Sequence, residues 1–111
     1  MKNLLSATEG DRPTAVIASD DYSAIGLTDA IRDAGLSVPE DISVTGYDGI
    51  SLSEVLVPQL TTWRQNTDQI GRRSVQKLIS IIEDRENSKA ETISVSGELL
   101  NGYSISNRGS V

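Results

Sequence analysis

Residues 13–49 read PTAVIASDDYSAIGLTDAIRDAGLSVPEDISVTGYDG, and the fold turns on them. Thr14 to Ser19 is a short β-prone run that follows Arg12-Pro13 and stops at Asp20-Asp21, the pattern of a buried strand running into a helix start. The spacing of Ala24, Leu27, Ile31 and Ala34 predicts a helix from Asp21 to Ala34, with carboxylates at its positive end and Gly35 as its stop. Pro39 keeps that helix from resuming. After the turn Pro39-Glu40-Asp41, Ile42 to Tyr47 reads as a second strand, ending at the turn pair Asp48-Gly49. Strand, helix and strand at this spacing make a parallel βαβ unit with a right-handed crossover.

Beyond Pro58 lies a further β-prone run, Leu60 to Trp63, and then an amphipathic helix from Thr67 to Glu83 whose Val75, Leu78, Ile79 and Ile82 fit a core-facing stripe. Trp63, flanked by strand-like residues, is expected in the core, the alternative being an aromatic face that stacks on a sugar ring. Asp84 to Glu91 is polar and reads as a surface loop. A last strand is expected over Thr92 to Leu100, where Ile93 and Val95 alternate with Ser94 and Ser96.

Composition narrows the chemistry. The chain has 111 residues, enough for one domain or less, with 10 Lys and Arg against 16 Asp and Glu for a net charge of −6. Gripping a phosphate backbone takes clustered positive charge, so this stretch is not expected to bind DNA itself. Without cysteine or histidine there are no disulfides, no thiol nucleophile, no imidazole base and none of the common zinc ligands. No enzyme, cofactor or metal is expected. The apolar stretches are too short to span a bilayer, and a cytoplasmic location with no membrane partner fits best.

In an open parallel sheet, ligands bind beyond the carboxyl ends of the strands. Asp20 and Asp21 follow the first strand and Asp48 follows the second, so carboxylates gather at that edge. A carboxylate there can accept paired hydrogen bonds from the hydroxyls of a sugar. The plainer reading of the same residues is a helix cap and an Asp-Gly turn. Tyr22, just inside the helix start, is a candidate ligand contact on one reading and a surface residue on the other.

Four motifs stand in order. They are Pro13-Thr14-Ala15; Asp20-Asp21 with Ala24-Ile25-Gly26; Gly35 to Pro39 with Asp41-Ile42-Ser43-Val44 and Gly46-Tyr47-Asp48; and Pro58-Gln59-Leu60-Thr61-Thr62-Trp63-Arg64-Gln65. Together they resemble the LacI/GalR family of sugar-responsive bacterial transcription regulators. The chain departs from the family pattern at Gly49, where Asp or Asn is frequent, and at Trp63, where Val or Ile is usual.

The resemblance implies an α/β fold: a parallel sheet flanked by helices, of the periplasmic-binding-protein-like type I class, present here as an incomplete fragment of the effector domain. It implies that residues 1–62 belong to the C-terminal lobe, 63–91 to the N-terminal lobe, and 92–111 to the return strand and tail. The family's DNA-binding domain is absent. Asp20, Asp48, Gln65 and Tyr22 would bind the effector, a sugar or sugar derivative, or equally a nucleobase, a phosphosugar or a phosphoprotein surface. Val55, Leu56 and Val57 would lie at a homodimer interface, as three apolar residues in a loop suit a covering partner, or else close the bottom of the core. DNA would be reached only through the missing helix-turn-helix, under allosteric control by the effector. A periplasmic sugar-binding protein of the same fold is the alternative. A phospho-acceptor domain fits poorly, because no lysine follows a later strand.

Overall fold

A computed structural model of the protein describes residues 5–107, Ser6 and Glu9 excepted, and divides the chain into two compact units. The first comprises residues up to Arg64 together with those from Leu99 onward; the second is Gln65–Glu98.

In the first unit, β1 (Ala15–Ile17) leads into α1 (Asp21–Asp33), which returns to β2 (Ser43–Asp48). The pairing of β1 with β2 is parallel, with Val16 opposite Val44. The short helix α2 (Ser51–Val55) then leads to β3 (Thr61–Arg64), parallel to β2 with Gly46 opposite Thr62 and Asp48 opposite Arg64. The order across the sheet is β1-β2-β3-β4, the last being Glu98–Leu100. The expected βαβ unit is therefore present. Helix α1 ends where Gly35 takes a φ of 76°, letting the Gly35 and Leu36 amides donate back to the Arg32 and Ile31 carbonyls.

Ala24 and Ile31, at helical spacing on α1, are fully buried with Ile42, Val44 and Leu60; Leu5, Ala18 and Val38 complete the core. Paired residues of neighbouring strands share a face, so Val16, Val44 and Thr62 lie on one side of the sheet and Ile17, Tyr47 and Trp63 on the other. That second face is open only toward its carboxyl-terminal end, where Ile17, Tyr47 and Trp63 are all exposed; Ser43 and Thr61, on the same face, are buried and bonded by the Ser106 and Gly102 amides. Trp63 thus does not pack in the core, because its place on β3 turns it to the uncovered end of that face.

Residues 102–106 stitch the near end of the sheet. Ser104 Oγ donates to the Val44 carbonyl at 2.6 Å and accepts from the Thr61 amide at 2.8 Å, while the Ser104 carbonyl accepts from the Val44 amide at 2.8 Å.

The second unit contains α3 (Thr67–Glu83), whose start is capped by Asn66 Oδ1 accepting from the Gln69 amide. The sequence places this helix correctly but not its surroundings. No residue of α3 is buried, and Val75, Leu78, Ile79 and Ile82 are all exposed. An apolar stripe becomes core only where something covers it, and within this unit Ile93 and Val95 merely line one groove with Ile70, Leu78 and Ile81. The strand expected over Thr92 to Leu100 is confined to Glu98–Leu100. Alternation alone does not make a strand without a neighbour to bond with.

Substituting Ser104→Ala would leave the Thr61 amide without that acceptor, in a site where both residues are buried. Urea denaturation should show a loss of about 1–3 kcal/mol, the range for an unsatisfied buried polar group. An unchanged midpoint would mean that the Thr61 amide finds another partner.

Candidate functional site

The loops that follow β1 and β2 meet at the carboxyl-terminal edge of the sheet. Asp20 is the N-cap of α1, in extended conformation at φ −156°. Its Oδ1 accepts from the Ser23 amide at 2.8 Å, and its Oδ2 accepts from the Ser23 and Ser19 hydroxyls, each at 2.9 Å. The Ser23 amide foremost, and then the two hydroxyls, hold the Asp20 carboxyl below the ordinary aspartate pKa of 3.8. Both oxygens are occupied in capping the helix.

Asp21, its neighbour, is fully buried. Its Oδ2 accepts from the Ile50 amide at 2.9 Å and its Oδ1 from the Thr62 hydroxyl at 2.5 Å, so one side chain joins α1, the segment after β2, and β3. Gly46 lies against it: a Cβ there would strike Asp21 Oδ1 and stand 2.8 Å from Leu60 Cδ2.

Asp48 ends β2 opposite Arg64 and is half-buried. Its φ of 110° is a conformation that non-glycine residues rarely adopt, and such outliers collect at functional sites. Gly49 follows at φ 70°, and a Cβ on it would come within 2.9 Å of Arg64 Cγ and still closer to the Arg64 backbone. The family's usual Asp or Asn at that position is thus excluded here by the approach of β3. The Arg64 guanidinium pairs with the Glu54 carboxylate on α2.

Of the other residues expected at the site, Tyr22 stands 70% exposed in the first turn of α1, on the same edge as Asp20. Gln65 opens the second unit and is half-buried there. Val55 ends α2, so the expected loop is in part a helix; Val55 and Val57 are exposed, while Leu56 turns inward and packs against the core. The three apolar residues therefore do not act alike. Asp21 and Thr62 are the residues that sequence reading undervalued. Their signal was the second Asp of the pair and the second Thr of Thr61-Thr62, both of which fit a cap or a strand equally well.

Comparison with known proteins agrees with this architecture. Residues 1–105 match the family described as periplasmic binding protein-like domain. A curated relative, the HTH-type transcriptional repressor PurR of Aliivibrio fischeri, is 37% identical over 105 residues, which are 95% of this chain and 31% of that protein. Among solved structures, a LacI family transcriptional regulator from Enterococcus faecium with bound ribose superposes with a TM-score of 0.79 at 32% identity, over 94% of this chain and 37% of that one. The lac repressor dimer bound to operator and the anti-inducer ONPF gives 0.77 at 30% identity, over 94% and 36%. The fold is that of a periplasmic-binding-protein-like domain. The chain belongs to the LacI/GalR family of transcription regulators. It spans about a third of the length of the relatives it matches.

Because the Asp20 pKa is lowered on folding, its stabilising effect is fully present above about 3.8 and is lost as pH falls through the depressed folded value. Asp20→Asn keeps a cap but does not titrate. The stability difference between wild type and Asp20→Asn should therefore be constant from neutral pH down to about 4 and then shift against the wild type under stronger acid. A difference independent of pH over the acid range would show that the cap does not depend on the charge.

Proposed function

We propose that this chain is the effector-sensing part of a LacI/GalR-type transcription regulator, which binds a small polar molecule at the strand ends and relays that binding to operator affinity. The observation that carries the reading is Asp48, an aspartate held at positive φ at the end of β2, at the sheet edge where α/β folds bind ligands. Its role is to accept hydrogen bonds from the effector. Asp20 and Tyr22, on the same edge, and Gln65, at the start of the second unit, complete the proposed ligand set. The protein acts by binding, not by catalysis, and needs no cofactor.

In this reading residues 1–62 belong to one lobe of the parent domain, 63–91 to the other, and 92–111 return to the first. The division of the chain into compact units at Gln65 and at Leu99 supports it. An effector that prefers the closed cleft shifts the lobe equilibrium, and the shift alters how a dimer presents its DNA-binding heads. Those heads lie elsewhere in the whole regulator, which acts in the cytoplasm; this acidic stretch does not touch the operator. The ribose bound in the Enterococcus faecium regulator favours a sugar as effector. The name of the curated relatives, PurR, favours a purine base as the second reading.

In the whole regulator, Asp48→Ala should weaken effector binding by about 1.5–3 kcal/mol, the worth of hydrogen bonds to a charged group, with little change in stability. Titration calorimetry with ribose, sucrose and purine bases measures this and separates the two effector classes. Undiminished affinity would refute the role given to Asp48.

Val55 and Val57 are the proposed dimer contacts, since both are exposed while Leu56 between them packs against the core. The double substitution Val55→Glu with Val57→Glu should convert dimers to monomers in sedimentation without unfolding the chain. Dimers that persist would remove this surface from the interface.

A further inference from the structure

Asp21 has no exposed surface and cannot touch an effector, yet its contacts bracket Asp48, the proposed effector ligand. Two residues before Asp48, Gly46 lies so close beneath Asp21 that it has no room for a side chain. Two residues after Asp48, the Ile50 amide donates to Asp21 Oδ2 at 2.9 Å. On the adjacent strand, Thr62 donates to Asp21 Oδ1 at 2.5 Å, two residues before Arg64, the register partner of Asp48. We propose that Asp21 is the positioning residue of the effector site: it fixes the chain on both sides of Asp48 and so holds that aspartate in its positive-φ conformation. The proposal rests on the reading of Asp48 as an effector ligand.

The physical argument is one of constraint. A non-glycine residue at φ 110° is strained and relaxes unless its surroundings over-determine it. Gly49, at φ 70°, supplies freedom, not restraint. Restraint has to come from outside the turn. The Ile50 amide is the first backbone group past the strained pair, and its bond to Asp21 crosses 29 positions of sequence to the start of α1. Since α1 is itself seated in the core through Ala24 and Ile31, the turn is anchored to the most rigid part of the unit. A site residue held in this way binds without first having to be ordered.

The test is calorimetry on the whole regulator with ribose, sucrose and purine bases, following whichever the wild type binds. Asp21→Ala, which removes both bonds, should weaken affinity about tenfold or more, the worth of roughly one lost hydrogen bond. Asp21→Asn can still accept from the Ile50 amide and can donate to Thr62, so it should rescue affinity to within about threefold of wild type. Val44→Ala, a core truncation on the same strand, should lower stability but leave affinity within about twofold. If Asp21→Ala does not fold, Thr62→Val, which lacks only the hydroxyl partner, should weaken binding about threefold. Wild-type affinity in the Asp21→Ala protein, or in Thr62→Val where that is the variant measured, overturns the proposal. So does a loss in Val44→Ala equal to that in Asp21→Ala, which would reduce the effect to stability. A loss in Asp48→Ala without one in Asp21→Ala removes the positioning role alone. No loss in either removes the effector reading and the positioning role together.

Discussion

A carboxyl group shut away from water must find its hydrogen bonds inside the protein, and Asp21 finds them on two other segments of chain. The Ile50 amide and the Thr62 hydroxyl both point at it, and Gly46 gives it room. Remove this group and the Ile50 amide and Thr62 hydroxyl lose their acceptor inside the unit, where an unsatisfied polar group costs about 1–3 kcal/mol. The carboxyl-terminal edge would then rest on the pairing of Thr45–Asp48 with Thr61–Arg64, the Glu54–Arg64 ion pair and the packing of α1 on the sheet. With strands this short, one buried side chain that ties all three loop regions settles the shape of the edge.

That arrangement divides the work among the three aspartates at the strand ends. Asp20 faces outward and caps α1, and the serines around it lower its pKa. Asp21 faces inward and ties the edge together. Asp48 sits in the strained turn that follows β2. Composition puts acid at this edge without distinguishing these roles, because adjacent residues at a helix start point in different directions from nearly identical sequence surroundings.

The legible part of the fold was the part governed by local signals. Helices α1 and α3 stand where apolar spacing, acidic starts and Gly35 placed them, and β1 to β3 fall within a residue or two of the β-prone runs. What the sequence withheld depends on neighbours distant along the chain. The stripe Val75, Leu78, Ile79 and Ile82 has the right period for a core face and is exposed, since periodicity records which face suits burial, not what covers it. The alternation at Ile93 and Val95 likewise finds no strand partner. Trp63 looked like a core residue by its type and flanks, but its register opposite Tyr47 assigns it to the open end of the second sheet face.

Of the candidate ligands, Asp48 stands apart from Asp20 on energetic grounds. Three hydrogen bonds already satisfy the Asp20 oxygens. A hydroxyl that binds there replaces water or a serine of equal quality, so little is gained. Asp48 is half-buried as Asp20 is, and what separates it is its backbone. Its backbone strain is also already present in the unbound fold, so an effector need not supply it. Gly49 and Arg64 reinforce this. Their backbones approach so closely that no side chain fits at position 49, which brings the end of β3 hard against the turn. In the proposed ligand set Asp20 also shapes the helix start beside Asp48.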